Sequence, residues 1–425
     1  MLNSVVDGQK RLLSVPLGIS RDSKLFIVLL AAVVMLPSLS IDSCLASLTN
    51  IGVSLHGKPA ATGAILSLFM VGFAVGQSVF GPLCDRLGRR PALLVGCAIF
   101  TVAAFGCAIS SSMSSLIFWR FVQGIGAAAG PVISFAIVRD LFCGKAARRR
   151  FAYVGAIATL APIIAPTLGG SIAGYAGWRG VFYALAVGGV LLGATIILCL
   201  EESIAQRDAG ALLLKSLWSN YWRVISNRFC RTYVVIGGLS FGSLFAYVSG
   251  SAFVFIQIFK LNQQQFGGLF ALNASCIALG ALATGRFCNI PAKRMIGGGL
   301  MLGLMASGTL VFLTCRHLLT PVSAMPFLML NTFSIGVVTP NVVHGTLEPV
   351  PEIAGVASSF FGAIRMVAGA LSSQLVALCF NGTPLAMTGI MLLFASIACG
   401  FYLLSLPLLS NVALLNPSHA ETALH

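Results

Sequence analysis

The chain has 425 residues, 57% of them hydrophobic and only 9% charged, with a mean hydropathy of +0.95. That composition excludes an ordinary soluble domain and points to a polytopic membrane protein built from helices, because backbone groups inside a bilayer must satisfy one another. The formal net charge of +15 is spread over short intervals between apolar runs, the pattern of membrane topology, and this excludes a nucleic-acid-binding surface.

In chain order, residues 1–22 read as a cytoplasmic tail. No signal-peptide cleavage site precedes Leu25, so the first apolar run is expected to be retained as a span. A helix needs about 20 apolar residues to cross a hydrocarbon core of ~30 Å. Runs of that kind lie at 25–48, 61–82, 91–110, 114–138, 151–172 and 179–200. The interval 201–231 mixes charges with Leu212 to Leu214, Trp218, Tyr221 and Trp222, and is predicted to lie as an amphipathic linker at the inner surface. Further runs follow at 233–257, 265–286, 294–314, 322–345, 353–378 and 385–409, and then a tail from 410 to 425. The predicted fold is all-α, with twelve transmembrane helices in two six-helix halves, 23–200 and 232–409.

With the amino terminus inside, the basic clusters Lys10–Arg11, Arg86–Arg90, Lys145–Arg150, Arg223–Arg231 and Lys293–Arg294 fall on the inner side. Only Lys58, Arg179, Lys260 and Arg316 fall outside, which satisfies the positive-inside rule and places both termini in the cytoplasm. Each half then begins inside, as in the parallel repeats of secondary transporters, where substrate is expected near the midplane between halves. The twelve cysteines form no C-x-x-C pair, and the five histidines show no ligand spacing. No metal, cofactor or catalytic triad is therefore expected, and an enzyme is a poor reading.

The interval Gly81–Leu94 packs four charges between uncharged spans and reads as a loop at a membrane face. Gly81, Leu83, Asp85, Arg86, Gly88, Arg89, Arg90 and Leu94 match the G-x-L-x-D-R-x-G-R-R/K-x-x-x-L signature of the major facilitator superfamily, between its second and third spans. Leu116, Arg120, Gln123, Gly124, Gly126 and Ala127 resemble the fourth-span motif of its drug:proton antiporters, and Ala161 to Gly170 the fifth-span antiporter motif. Ser40-Ile41-Asp42, Val138-Arg139-Asp140-Leu141-Phe142 and Gly177-Trp178-Arg179 narrow the resemblance to the bicyclomycin and chloramphenicol resistance (Bcr/CflA) branch. Two features depart from that pattern: Ala161 and Ala165 stand where glycines are usual, and Ser43-Cys44-Leu45 replaces the branch's frequent Tyr-Leu-Pro. The resemblance implies the major facilitator fold, an inner-membrane multidrug exporter driven by the proton gradient, and a monomer. It also implies that Gly81, Asp85, Arg86, Gly88, Arg89 and Arg90 form a conformational latch. A polar turn on anionic lipid is the simpler alternative for that stretch.

Asp42 is the one acid well inside a span, where an ionised carboxylate is costly and serves proton relays; Arg120 is predicted at the same depth as its partner. Pro162 and Pro166, with Gly169 and Gly170, form either a gate hinge or a close-packing surface. Arg365, near mid-bilayer, is either an anion-attracting cavity group or satisfied by carbonyls or Gln374. Gln123, Tyr153, Tyr247, Asn273, Asn331 and Asn341 are candidate cavity groups, with Gln77 and Gln257 beside them. Small amphiphilic compounds are the expected cargo. Two buried arginines against one acid keep open an exporter of an anionic metabolite or siderophore, and a channel is the reading outside the transporters.

Overall fold

The computed structural model describes residues 23–142, 144–204, 221–287, 289–350 and 353–410. Both predicted tails, apart from Ser410 at the end of the last helix, and residues 205–220 of the linker lie outside the described residues. Among the described residues there are helices and no strand. They fall into two compact units, one holding 23–204 with Leu261–Ala271, the other 221–260 and 272–410.

The first unit opens with α1 (Lys24–Leu45), started by the Ser23 hydroxyl accepting the Leu25 N–H at 3.1 Å. A short α2 (Leu48–Ser54) leads to α3 (Pro59–Leu87), whose proline sits in the first turn, where a missing N–H costs nothing. Next come α4 (Arg89–Ala108), α5 (Met113–Ala127) and α6 (Ala129–Leu141), the last two joined through Ala128 into one 29-residue span. The unit's helices end with α7 (Gly144–Ala158) and α8 (Ala161–Cys199).

Among the described residues, eleven helical stretches are long and apolar enough to cross a membrane. One of them, Arg149–Cys199, has 51 residues, or roughly 76 Å of helix at 1.5 Å per residue, more than two bilayer cores. Gly177 breaks it at φ +67°, a conformation glycine adopts without strain. The stretch is therefore two crossings, and the spans among the described residues number twelve.

The loop expected at Gly81–Leu94 is not one. Helix α3 runs to Leu87 and α4 starts at Arg89, leaving Gly88 alone between them. Charge marks where the membrane ends, but arginine and leucine are good helix formers, so the helices continue beyond that point.

The second unit holds α9 (Arg228–Ser251), continued by a π-helical turn at Ala252–Ile258, and most of α10 (Gln263–Arg286). It also holds α11 (Ala292–Cys315), α12 (Pro321–Leu347), α13 (Ala354–Cys379) and α14 (Leu385–Ser410). Asn227 caps α9 by accepting from the Phe229 and Cys230 N–H groups, and Thr320 with Ser323 forms a capping box ahead of α12. The core gathers Val234, Ile296, Val338, Phe361 and Tyr402 from five helices.

One packing device occurs in both halves. A Cβ on Gly72 of α3 would run into the Phe121 carbonyl of α5, and one on Gly124 of α5 into the Phe69 carbonyl of α3. In the other half, Gly280 of α10 meets the Phe333 carbonyl, and Gly336 of α12 meets the Ile277 carbonyl. Each carbonyl stands three residues before a glycine of the reciprocal pair, so the same backbone-to-backbone crossing is used twice. This is the parallel repeat, visible in contacts rather than in motifs.

Candidate functional site

Among the described residues, Arg120 is the largest fully buried side chain, at 0% exposure. Helix α5 carries it against α1 and α3. Its Nη1 donates to Ser40 Oγ and to Gln123 Oε1, both at 2.7 Å, and its Nε to the Ile65 carbonyl at 3.2 Å. The guanidinium lies 4.3 Å from the centre of the Phe69 ring and 5.7 Å from that of Phe182. Arg120 Nη2 and Gln123 Nε2 are buried without a partner among the described residues.

The expected Asp42–Arg120 pair is not made. Depth placed the two side chains at one level, but residues two apart on a helix point about 200° from each other, so Ser40 faces Arg120 and Asp42 does not. Cys44, one turn beyond Ser40, is the next group of α1 near the guanidinium. Asp42 is 6% exposed, and no hydrogen bond or ion pair joins it to any described residue. The other carboxylates of the described residues (Asp85, Asp140, Glu201, Glu202 and Glu348) all stand at helix ends.

At the hairpin, Arg89 is 4% exposed and bonds Asp85, four residues before it across the Gly88 break, and Asp140 Oδ2 at 2.8 Å. Sequence reasoning missed Glu202, which it had assigned to the linker. Its carboxylate accepts the Arg89 N–H at 2.9 Å and the Arg90 N–H at 3.3 Å, capping the start of α4, and also accepts Ser203 N–H at 3.0 Å. Arg90 Nη2 donates to the Ile197 carbonyl at 2.7 Å. Gly88 has φ +105°, and a Cβ there would strike Glu202. Gly88→Ala is expected to destabilise the fold by about 1–3 kcal/mol, the range for a residue held in a sparsely populated backbone region. Thermal unfolding of the purified protein checks it, and an unchanged midpoint would remove the cap from this account. Gly81 has open space around its Cβ position, and Arg86 lies in the last turn of α3.

The fifth-span break falls at Thr159 and Leu160, one turn before Pro162, whose ring would clash with the carbonyl four residues back. Pro166 lies inside α8. A Cβ on Gly169 would meet the backbone of Ser43, and one on Gly170 the Gln263 carbonyl at 2.9 Å, so these glycines serve close packing. Gly177-Trp178-Arg179 makes the turn between the fifth and sixth crossings, with Arg179 Nη2 donating to the Ser110 carbonyl at 3.0 Å.

The remaining candidates have mixed placements. Tyr153 is exposed and its hydroxyl accepts from Arg149 Nε at 3.0 Å. Asn331 donates to Ser307 Oγ at 3.0 Å, Asn273 Oδ1 accepts from Thr332 Oγ1 at 2.7 Å, and Asn341 donates to the Val337 carbonyl at 2.8 Å. Tyr247 is buried in α9. Arg365, near the middle of α13, stacks over Phe241 of α9 at 4.3 Å and Phe361 at 5.3 Å.

A sequence model of the Major Facilitator Superfamily matches residues 26–373. The chain belongs to that superfamily. It is a membrane transporter rather than an enzyme. Its relatives include the YdgK MFS-type transporter of Bacillus subtilis, 31% identical over 82% of this chain and 87% of that one. The bicyclomycin resistance protein homologue of Haemophilus influenzae is 29% identical over 83% and 89%, and the multidrug resistance protein MdtL of Escherichia coli O9:H4 is 26% identical over 94% and 98%. These names agree with the Bcr/CflA branch that the motifs resemble. Among solved structures, a bacterial homologue of the human lysosomal transporter Spinster covers 90% of the chain, and is itself covered to 97%, with TM-score 0.73 at 16% identity. The nucleoside transporter NupG covers 89%, and is covered to 98%, with TM-score 0.71 at 14% identity. Both show the major facilitator fold.

Proposed function

We propose that this superfamily member is a proton-coupled exporter of small amphiphilic compounds of the chloramphenicol and bicyclomycin kind, working by alternating access in a bacterial inner membrane with both termini in the cytoplasm. Asp42 carries the reading. Among the described residues it is the one buried carboxylate, it makes no hydrogen bond or ion pair with any of them, and at 6% exposure it is not fully sealed. An acid so placed is expensive unless it trades its charge for a proton in use.

With Asp42 ionised, its charge balances that of Arg120 in the interior of the first half; with Asp42 protonated, one net positive charge remains. Two charge states of one half are what a transporter needs in order to favour two conformations in turn. The names of the Haemophilus and Escherichia relatives support the cargo class. The Asp85–Arg89–Asp140 knot with its Glu202 cap serves as the latch, and the break before Pro162 as the hinge. The proton gradient supplies the drive, and a monomer suffices.

The test is efflux of a chloramphenicol-like compound from proteoliposomes with an imposed pH gradient. Efflux is expected to follow the gradient and to collapse with a protonophore. Flux indifferent to the gradient would make the protein a channel and end this reading.

A further inference from the structure

We infer that Arg365, framed by Phe241 and Phe361, is a substrate subsite that takes the carboxylate of an amphiphilic organic anion. The inference rests on the exporter reading and names a substrate class for it. All three residues belong to the second unit: Arg365 and Phe361 lie one turn apart on α13, and Phe241 faces them from α9.

A guanidinium near mid-bilayer needs a counter-charge or a full set of acceptors. Arg365 has neither. No hydrogen bond or ion pair joins it to a described residue, so its five N–H donors are unused by the described residues. The one carboxylate described in this unit, Glu348, stands at the end of α12 beside His344. Ring faces offer a cation favourable electrostatics but accept few of its hydrogen bonds.

Arg365 is also only partly buried, whereas Phe241 and Phe361 are 7% and 5% exposed, so the rings fix the guanidinium while part of it stays reachable. Phe245 backs the site, its ring centred 4.7 Å from that of Phe241. A planar fork of unused donors beside apolar rings fits a carboxylate joined to an apolar body. A lipid phosphate does not fit, because headgroups lie at the membrane surface and Arg365 lies near the helix centre. Arg120 is unsuited to this task, because it is sealed and already bonded to Ser40, Gln123 and Ile65.

The experiment compares cinnamate with cinnamamide, which share a body and differ in charge, by calorimetric binding to the detergent-purified full chain in chloride-free buffer. The wild type is expected to prefer the acid by about tenfold or more, the worth of a charge-assisted hydrogen bond. Arg365→Gln should remove the preference by weakening binding of the acid, and Arg365→Lys should keep part of it. Equal binding of the pair by the wild type, or an unchanged preference in Arg365→Gln, overturns the inference. Should Arg365→Gln not fold, the wild-type comparison and Arg365→Lys still decide it, Lys at full Arg preference counting against the fork. Because binding needs no gradient, selective binding without pH-driven transport would refute proton coupling alone, and pH-driven transport without selectivity would refute the subsite alone.

Discussion

Asp42→Asn is expected to yield a folded protein that exchanges substrate across the membrane yet no longer concentrates it against a gradient. Asparagine closely matches the shape of a protonated aspartate, so the variant is fixed in one of the two charge states. Folding should survive, because Asp42 makes no hydrogen bond or ion pair with the described residues that the substitution would break. Coupling should not survive. If one proton is exchanged per substrate, a one-unit pH gradient, worth about 1.4 kcal/mol, supports up to about a tenfold substrate gradient in the wild type. In Asp42→Asn the ratio should fall to unity, with counterflow of labelled substrate retained. Measuring both in the same proteoliposomes separates loss of coupling from loss of protein. A variant that still builds the gradient would show that the proton travels elsewhere, and the functional reading would lose its carrier.

The apolar runs were legible because a bilayer imposes length, and the span ends proposed from sequence differ from the observed helices mostly by a few residues. The misreadings come from information that a single chain does not display. Depth along α1 follows from counting residues, but azimuth does not, which is why Asp42 was paired with Arg120 when Ser40 was the residue facing it. Leu30 and Val33 lie on the same side, since the Leu30 carbonyl accepts from Ser134 and the Val33 carbonyl touches Gly130. A helical wheel through those positions and Ser40 would have turned Asp42 away. Glu202 left a fainter signal. Gly88 precedes a helix whose start carries no Ser, Thr, Asp or Asn, so the first N–H groups of α4 required an acceptor from elsewhere in the chain. The second half lacks the signature motifs, and its kinship with the first rests on glycines whose purpose shows only once the carbonyls they approach are known. The π-helical turn at Ala252–Ile258 has no counterpart in the sequence pattern that we can identify.

That kinship sharpens what Arg120 is for. Arg120 stands four residues before Gly124, and its Nε bonds the carbonyl of Ile65, seven residues before Gly72. Thr332 stands four residues before Gly336, and its hydroxyl bonds the carbonyl of Asn273, seven residues before Gly280. Both contacts are 3.2 Å long. The same helix crossing is thus closed by a cation in one half and by a neutral hydroxyl in the other, so closing it does not require charge. Arg120→Gln, which keeps a donor and most of the volume, is therefore expected to fold, losing about 1–3 kcal/mol for the acceptors it leaves unmatched at Ser40 and Gln123. Gradient-driven transport should nevertheless fall to the level of empty liposomes, because Asp42 would then alternate between neutral and negative without the Arg120 charge that balances it. Arg120→Lys keeps the charge without the fork and should retain part of the transport. Thermal unfolding and proteoliposome efflux, measured on both variants, test the two roles separately. Wild-type efflux by Arg120→Gln would mean that the first half uses its arginine as the second uses Thr332, only to hold two helices together.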